Sequence, residues 1–231
     1  MTKENQHITF DVFVENAQTI FDSFPNEQVW LQGGFRPNRQ RQTPEAGYCI
    51  VLRYDEKITS AIWHFMTKIR SVLPYLVEYN EQNLHTTIGT YGKRDMKGFV
   101  PNSVILQHLM ESLEKGINNY SQNICIEFRK WLYNEEAILV SGYPNQDLWD
   151  LCQNIGNTFQ ENGFPLEMRR IIHITTARFT SSISSQEFEK FRFLMKSVPV
   201  LETTKPLAID LAIWRCDGLE FDLVTYKRYI L

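Results

Sequence analysis

Two short stretches carry residue types that could move a proton beside an anion. One is His85-Thr86-Thr87-Ile88-Gly89-Thr90-Tyr91 and the other is His173-Ile174-Thr175-Thr176-Ala177-Arg178-Phe179. Both begin His-x-Thr, and both are rich in β-branched and aromatic residues, the composition of strands. Side chains at i and i+2 of a strand share a face, so His85 goes with Thr87 and His173 with Thr175. An imidazole exchanges a proton near neutral pH, and a hydroxyl beside it can hydrogen-bond an anionic oxygen. Two such pairs facing each other would hold one anionic group between two imidazoles. The pattern is short, and His7-Ile8-Thr9 fits it too. Context must separate the functional instances from chance.

The elements around the two stretches supply that context. Phe10, Phe13, Ala17, Ile20 and Phe24 recur at helical spacing, with Thr9 in position to cap the helix. The glycine- and proline-punctuated stretch 33–44 reads as a loop holding Arg36, Arg39 and Arg41, either a solvated connector or a basic flap over an anionic ligand. From Tyr48 the order becomes regular: a strand over 48–54, a helix from Glu56 stopped by Pro74, the His85 strand, then a helix over about 104–117. Strands over 124–133 and 137–143 form a hairpin. A helix over about 147–161 ends at Asn162-Gly163, and the His173 strand follows. The last helix spans about 185–196, capped by Ser184 or Ser185, and a second hairpin turns at Asp217-Gly218.

This order is an internal duplication. The two motif histidines are 88 residues apart, and the same shift lays Val51 on Leu139. Further on the offset shrinks to 83, laying Ile126, Glu127, Phe128 and Trp131 on Ile209, Asp210, Leu211 and Trp214. Neither offset carries His7 onto a motif histidine, so His7 lies outside the repeat. The organisation expected is an N-terminal helix and basic loop over 1–47, then a two-lobed unit over 48–231, with repeat 1 about 48–134 and repeat 2 about 135–231. The two imidazoles should face each other across one cleft.

Composition narrows the function classes. The chain has 231 residues, is 43% hydrophobic and 22% charged, and carries a net charge of −3. That suits a globular domain with a substantial core and excludes a global basic field for nucleic acid, so any basic site is local. No apolar run approaches the roughly 20 residues needed to span a bilayer, and the first residues lack a signal-peptide core. Cys49, Cys125, Cys152 and Cys216 are scattered and read as thiols of a reducing compartment. A cytoplasmic, monomeric protein without membrane contact is expected. No Cys-x-x-Cys or His-x-x-x-His pair offers a metal cage, so neither metal nor cofactor is expected. His64 and His108 sit on helices without a partner motif and read as structural.

With those residues in place the chain resembles the 2H phosphoesterase superfamily, the 2′,3′-cyclic and 2′,5′-phosphodiesterases (2′-5′ RNA ligase-like, or LigT-like, proteins) that carry two His-x-[Ser/Thr]-hydrophobic motifs. The likeness covers about residues 48–231. His85-Thr86-Thr87-Ile88 fits fully, while in His173-Ile174-Thr175-Thr176-Ala177-Arg178 a threonine, Thr176, stands where a hydrophobic residue is usual. The resemblance implies an α+β, bilobed, pseudo-twofold fold. In each lobe an antiparallel-rich sheet carries helices on its outer face, and a His-x-Thr strand lines a central cleft. It implies a metal-independent hydrolase, a phosphodiesterase acting on a cyclic or 2′-linked nucleotide or RNA end. In-line attack on phosphorus needs a base on the entering oxygen and an acid on the leaving one, roles for His85 and His173. The pseudo-symmetry makes the two roles interchangeable on paper; the preferred assignment is His173 as base and His85 as acid. Thr87 and Thr175 would meet charge on the non-bridging oxygens. Arg178 is a further phosphate candidate, although strict alternation sets it on the face opposite His173. Tyr91, Tyr133 and Tyr143 are candidates for stacking on a base, whereas Trp131 and Trp214 read as core. Arg169 and Arg170 read as surface charges. Two other classes stay open: a non-catalytic nucleotide- or RNA-binding module of the same fold, and an adaptor using the N-terminal helix.

Overall fold

The strands build two antiparallel sheets, each with one face on a shared core, and the central strands β1 and β5 are buried almost throughout. The computed structural model describes residues 8–24 and 44–231, apart from Pro74, Asn119 and Ser121. His7 and the basic loop with Arg36, Arg39 and Arg41 lie outside the described residues. The strands are β1 (Glu45–Arg53), β2 (Leu76–Glu78), β3 (Thr86–Asp95), β4 (Ile126–Tyr133), β5 (Ala137–Pro144), β6 (Glu167–Met168), β7 (Ile172–Phe179), β8 (Ala208–Cys216) and β9 (Phe221–Ile230). Sheet 1 has the order β6-β3-β1-β8-β9 and sheet 2 the order β2-β7-β5-β4. The pseudo-twofold relates β1 to β5, β3 to β7 and β8 to β4, each pair separated by an offset of 88 or 83. It also relates the short edge strands β6 and β2. Each sheet draws on both halves of the sequence, and β5 serves both as second strand of the first hairpin and as first strand of the second repeat. Strand β9 has no mate in sheet 2 among the described residues.

The described helices are α1 (Phe10–Asp22), α2 (Glu56–Arg70), α3 (Ser103–Gly116), α4 (Gln146–Glu161) and α5 (Ser185–Met195). Their starts follow from capping side chains that accept orphan backbone N–H groups: Thr9, Asp55, Asn102, Asn145 and Ser184. Ser184 and Glu187 form a reciprocal capping box. Helix α4 gives way to Gly163 at φ 84°, and the β8–β9 turn holds Gly218 at φ 97°, backbone that glycine adopts without strain.

Helices α2 to α5 bury Ile62, Leu109, Ile155 and Phe191 against one face of the sheets, where Ile50, Leu52, Ile209, Ile138, Val140 and Ile174 complete the main core. Removing such area from water gives about 25 cal/mol per Å², which fixes the face each strand presents. The residues between them, Val51, Leu139, His173 and Thr175, therefore face the other way, onto the cleft. Thr86 ties the two halves together. Its hydroxyl donates to the His173 carbonyl at 3.1 Å and accepts from Tyr54 Oη at 2.7 Å.

Candidate active site

Both histidine strands carry the same irregularity. On β3, Thr87 faces Val51 while Gly89 faces Ile50, leaving Ile88 as an extra residue. On β7, Thr175 faces Leu139 while Ala177 faces Ile138, leaving Thr176 as the extra one. These are β-bulges at equivalent places, and a bulge resets the alternation of faces. Ile88 is buried in the core. Thr176 is fully buried, and its hydroxyl donates to the Ile138 carbonyl at 3.1 Å, which accounts for a polar residue where an apolar one is usual.

The bulge also brings Arg178 into the site. Strict alternation would set it opposite His173, but the extra residue returns it to the cleft face, across from Ala137. Its Nε donates to Tyr79 Oη at 3.0 Å, while Nη1 is buried without a partner among the described residues. Tyr79 and its own burial act on it in opposite directions, and its pKa stays above the ordinary arginine value. The equivalent position on β3 is Thr90, so this cation comes from one lobe only.

The two histidines are set alike at the backbone and differently around the ring. His85 Nδ1 lies 2.6 Å from the carbonyl of Asn83, so Nδ1 carries the hydrogen and Nε2 is left bare. Asn83 is itself held, its Nδ2 donating to the Phe221 carbonyl at 3.0 Å. The ring of Phe221 stacks on His85 at 5.6 Å and on Tyr79 at 4.7 Å. For His173 the carbonyl two residues back, Ile171, favours the proton, yet Nδ1 is buried without a partner of hydrogen-bond geometry. No aromatic ring stacks on it among the described residues.

Burial is the largest influence on both rings. It pushes His85 down to about 4, opposed by the Asn83 carbonyl and reinforced by Arg53, Arg178 and Arg169. It pushes His173 down to about 3, reinforced by Arg178, Arg169 and His85 itself. Arg178 and Arg169 thus act on both rings, and Arg53 on His85 besides. Both are neutral at pH 7. Thr87 and Thr175 are half-buried on the cleft face, their hydroxyls without a hydrogen bond among the described residues.

A second polar layer lies beneath His85. Asp210 is fully buried, and burial opposes its charge, but hydrogen bonds from Arg228, Thr225 and Arg53 outweigh it and hold the carboxyl below its ordinary value. Arg53 Nε donates to Asp210 at 2.8 Å and its Nη1 to the Gln82 carbonyl at 2.7 Å, fixing the loop that leads into His85.

The structure does not bring the three stacking candidates together with the histidines. Tyr91 packs beside Tyr48 and edge-on to Phe164, and Tyr133 packs edge-on to Phe191, both against the main core. Tyr143 lies under α1, its hydroxyl donating to Gln18 Oε1 at 2.7 Å. Trp131 is in the core against Phe65, but Trp214 lies on the cleft face of sheet 1 with Cys49, Val51 and Ala212, a correction to reading both as core. An irregularity in β4 between Phe128 and Trp131 separates the two tryptophans' faces. Arg169 and Arg170 are exposed, and Arg169 still acts on both rings through its charge. His64 and His108 lie on α2 and α3, away from the cleft, with His108 stacked on Phe164. Asn83, Tyr79 and Phe221 have no motif around them, and no local signal in the sequence marks them. No group of three or more His, Cys, Asp or Glu positioned for a metal is present among the described residues.

Neither a protein-family model nor a curated protein sequence matches the chain. Solved structures do. TT0787 of Thermus thermophilus superposes with a TM-score of 0.57 at 12% identity, covering 80% of this chain and 97% of its own. E. coli LigT in its apo form gives 0.52 at 14% identity, covering 81% and 98%. LigT complexed with NADP+ gives 0.51 at 13% identity with the same coverage. At these identities the likeness is one of fold. The chain has the two-sheet α+β fold of TT0787 and LigT.

Proposed function

We propose that the chain is a metal-independent phosphodiesterase that uses His85 and His173 on a cyclic, 2′,3′-type, or 2′-linked nucleotide or RNA phosphodiester. The observation that carries this reading is Arg178: a cation with one buried, unpartnered nitrogen, acting by its charge on both imidazoles. A buried donor without an acceptor is costly, and an anion between the histidines would satisfy it. That LigT has been crystallised with NADP+ supports a nucleotide as the bearer of that anion.

The free protein holds two neutral imidazoles, whereas acid–base catalysis needs one of each form. A bound phosphate offsets Arg178 and favours a proton on one ring. His85 is the better acid, because the Asn83 carbonyl supports its proton. His173, the lower of the two, is the base. It takes a proton from the attacking water as that oxygen bonds to phosphorus. His85 gives its proton to the leaving oxygen as the P–O bond breaks. Thr87, Thr175 and Arg178 meet the charge on the non-bridging oxygens.

The test is a panel of 2′,3′-cyclic nucleotides, 2′,5′-linked dinucleotides and RNA ends, assayed near neutral pH with EDTA present. Turnover that survives EDTA is expected. Turnover that requires a divalent ion would overturn the mechanism. Tight binding without turnover would instead favour a non-catalytic module, a reading to which two imidazoles both neutral at pH 7 lend weight.

A further inference from the structure

Helix α1 lies on the same face of sheet 2 as the proposed catalytic residues. Leu139, opposite Thr175, and Tyr143 are buried beneath Ala17 and Phe21, with Val14, Phe24, Leu132 and Ile171 around them. Ile171 precedes His173 by two residues and shares its face. The helix is fastened at several points along its length. Phe10 packs on Trp149 at 5.9 Å, Phe21 on Tyr143 at 5.5 Å, Tyr143 Oη donates to Gln18, and Lys130 pairs with Asp22 at 3.1 Å. The twofold-related patch on sheet 1 is arranged differently. Val51, the mate of Leu139, lies opposite Thr87 in a small cluster of sheet residues only, Cys49, Ala212 and Leu223, bordered by half-buried Trp214 and Phe221. No helix packs on that cluster among the described residues. Trp214 lies over Gly47, where an added Cβ would come within 3.1 Å of its Nε1. Gly47 is four residues from Val51 along β1, about 13 Å in an extended strand.

We infer that α1 selects the substrate: it closes the sheet 2 side of the cleft, so the body attached to the reacting phosphate lies along sheet 1, over Val51, Phe221 and Trp214. This rests on the phosphodiesterase reading and deepens it. The class of body admitted is a single-stranded one with a flat ring to lay on an aromatic side chain, because such rings stack on Phe and Trp regardless of base identity. A base-paired end, with a second strand beside the reacting one, would collide with α1. Ala17 and Phe21 of α1 lie with Leu139 and Tyr143 in a cluster separate from the main core, which α1 meets through half-buried Phe13, so α1 can be lifted with most of that core left closed.

The test uses full-length Ala17→Glu, since a carboxylate cannot be buried unpaired against Leu139 and Tyr143; undocking is checked by protease cleavage within α1. Two ligands are compared, a 2′,3′-cyclic mononucleotide and an RNA hairpin with a fully paired end bearing the same cyclic phosphate. Undocking is expected to raise kcat/KM for the hairpin relative to the mononucleotide by about tenfold, with the mononucleotide nearly unchanged. Trp214→Ala should raise KM, and raise it more for a single-stranded oligonucleotide than for the mononucleotide. An unchanged hairpin ratio with α1 demonstrably cleavable would overturn the inference, as would Trp214→Ala without effect. Should Ala17→Glu fold poorly, the double variant Gln18→Ala, Asp22→Ala removes two polar fastenings instead. If the wild type turns over neither ligand, the phosphodiesterase reading fails on its own. The binding affinities of the same ligands, measured by fluorescence, then decide the α1 inference separately.

Discussion

At the scale of single residues, each proposed role carries its own magnitude. His85→Asn or His173→Asn should each remove about 10²–10⁴ in turnover, the usual worth of one positioned proton transfer, while binding persists. The double variant should be little worse than either single one, because acid and base serve one transition state. Thr87→Val or Thr175→Val removes one hydrogen bond to charge, about 1.5–3 kcal/mol, hence roughly tenfold to a hundredfold. Purified variants with native circular dichroism, assayed on one turned-over substrate, check both sets; a folded His173→Asn at wild-type rate would make that histidine structural. Arg178→Gln should act differently. Removing the cation should let both imidazoles titrate higher, visible in the ring proton shifts of His85 and His173 by NMR, while inorganic phosphate binds more weakly. Unmoved histidine titrations would take Arg178 out of the site.

At the scale of elements, the bulges explain why these residues converge. Thr176→Val keeps the shape of the side chain and removes the hydroxyl that satisfies the Ile138 carbonyl at 3.1 Å. Losing that buried hydrogen bond should cost about 0.5–1.5 kcal/mol, read from urea unfolding. Phosphate affinity should fall with it if Arg178 shifts; an unchanged midpoint would mean that water replaces the hydroxyl. The long elements were legible because their periodicity is strong: all five described helices and seven of the strands follow apolar spacing or alternation that a residue-by-residue reading finds. Strands β2 and β6, of three and two residues, are too short to alternate. The offsets of 88 and 83 identified which strands are equivalent but not which ones pair, since pairing is decided by tertiary contact. Arg178 was legible as a residue type and misplaced by alternation, because a bulge leaves no mark in sequence. Asn83 and Phe221 reach His85 from a single 3₁₀ turn (Glu81–Asn83) and from the last strand, with ordinary neighbours on either side. Tyr143 looked available for stacking because nothing in β5 announces that α1 will cover it.

At the scale of the whole molecule, the two histidines couple the site to stability. Their pKa values fall from 6.5 to about 4 and about 3 on folding. Between these limits the unfolded chain binds more protons than the folded one, so stability falls as pH drops below 6.5. By pH 5 each histidine costs about 2 kcal/mol, at roughly 1.4 kcal/mol per pH unit. Asp22, Glu127, Glu187, Asp210 and Asp217 are all shifted below ordinary values of 3.8 or 4.5. They therefore lose their contribution at lower pH and leave the window from 6.5 to 5 to the histidines. Phosphate should oppose the loss. An anion beside Arg178 lifts both imidazoles, so it binds the protonated site more tightly and stabilises the fold more at pH 5 than at pH 7. The measurement is thermal or urea unfolding at pH 7 and pH 5, with and without inorganic phosphate. Wild type should lose several kcal/mol on acidification and regain part of it with phosphate. The double variant His85→Asn, His173→Asn should lose far less between the same pH values, because its side chains do not titrate there. If the double variant and the wild type fall in parallel, other groups carry the acid sensitivity and the histidines are not held neutral by the fold.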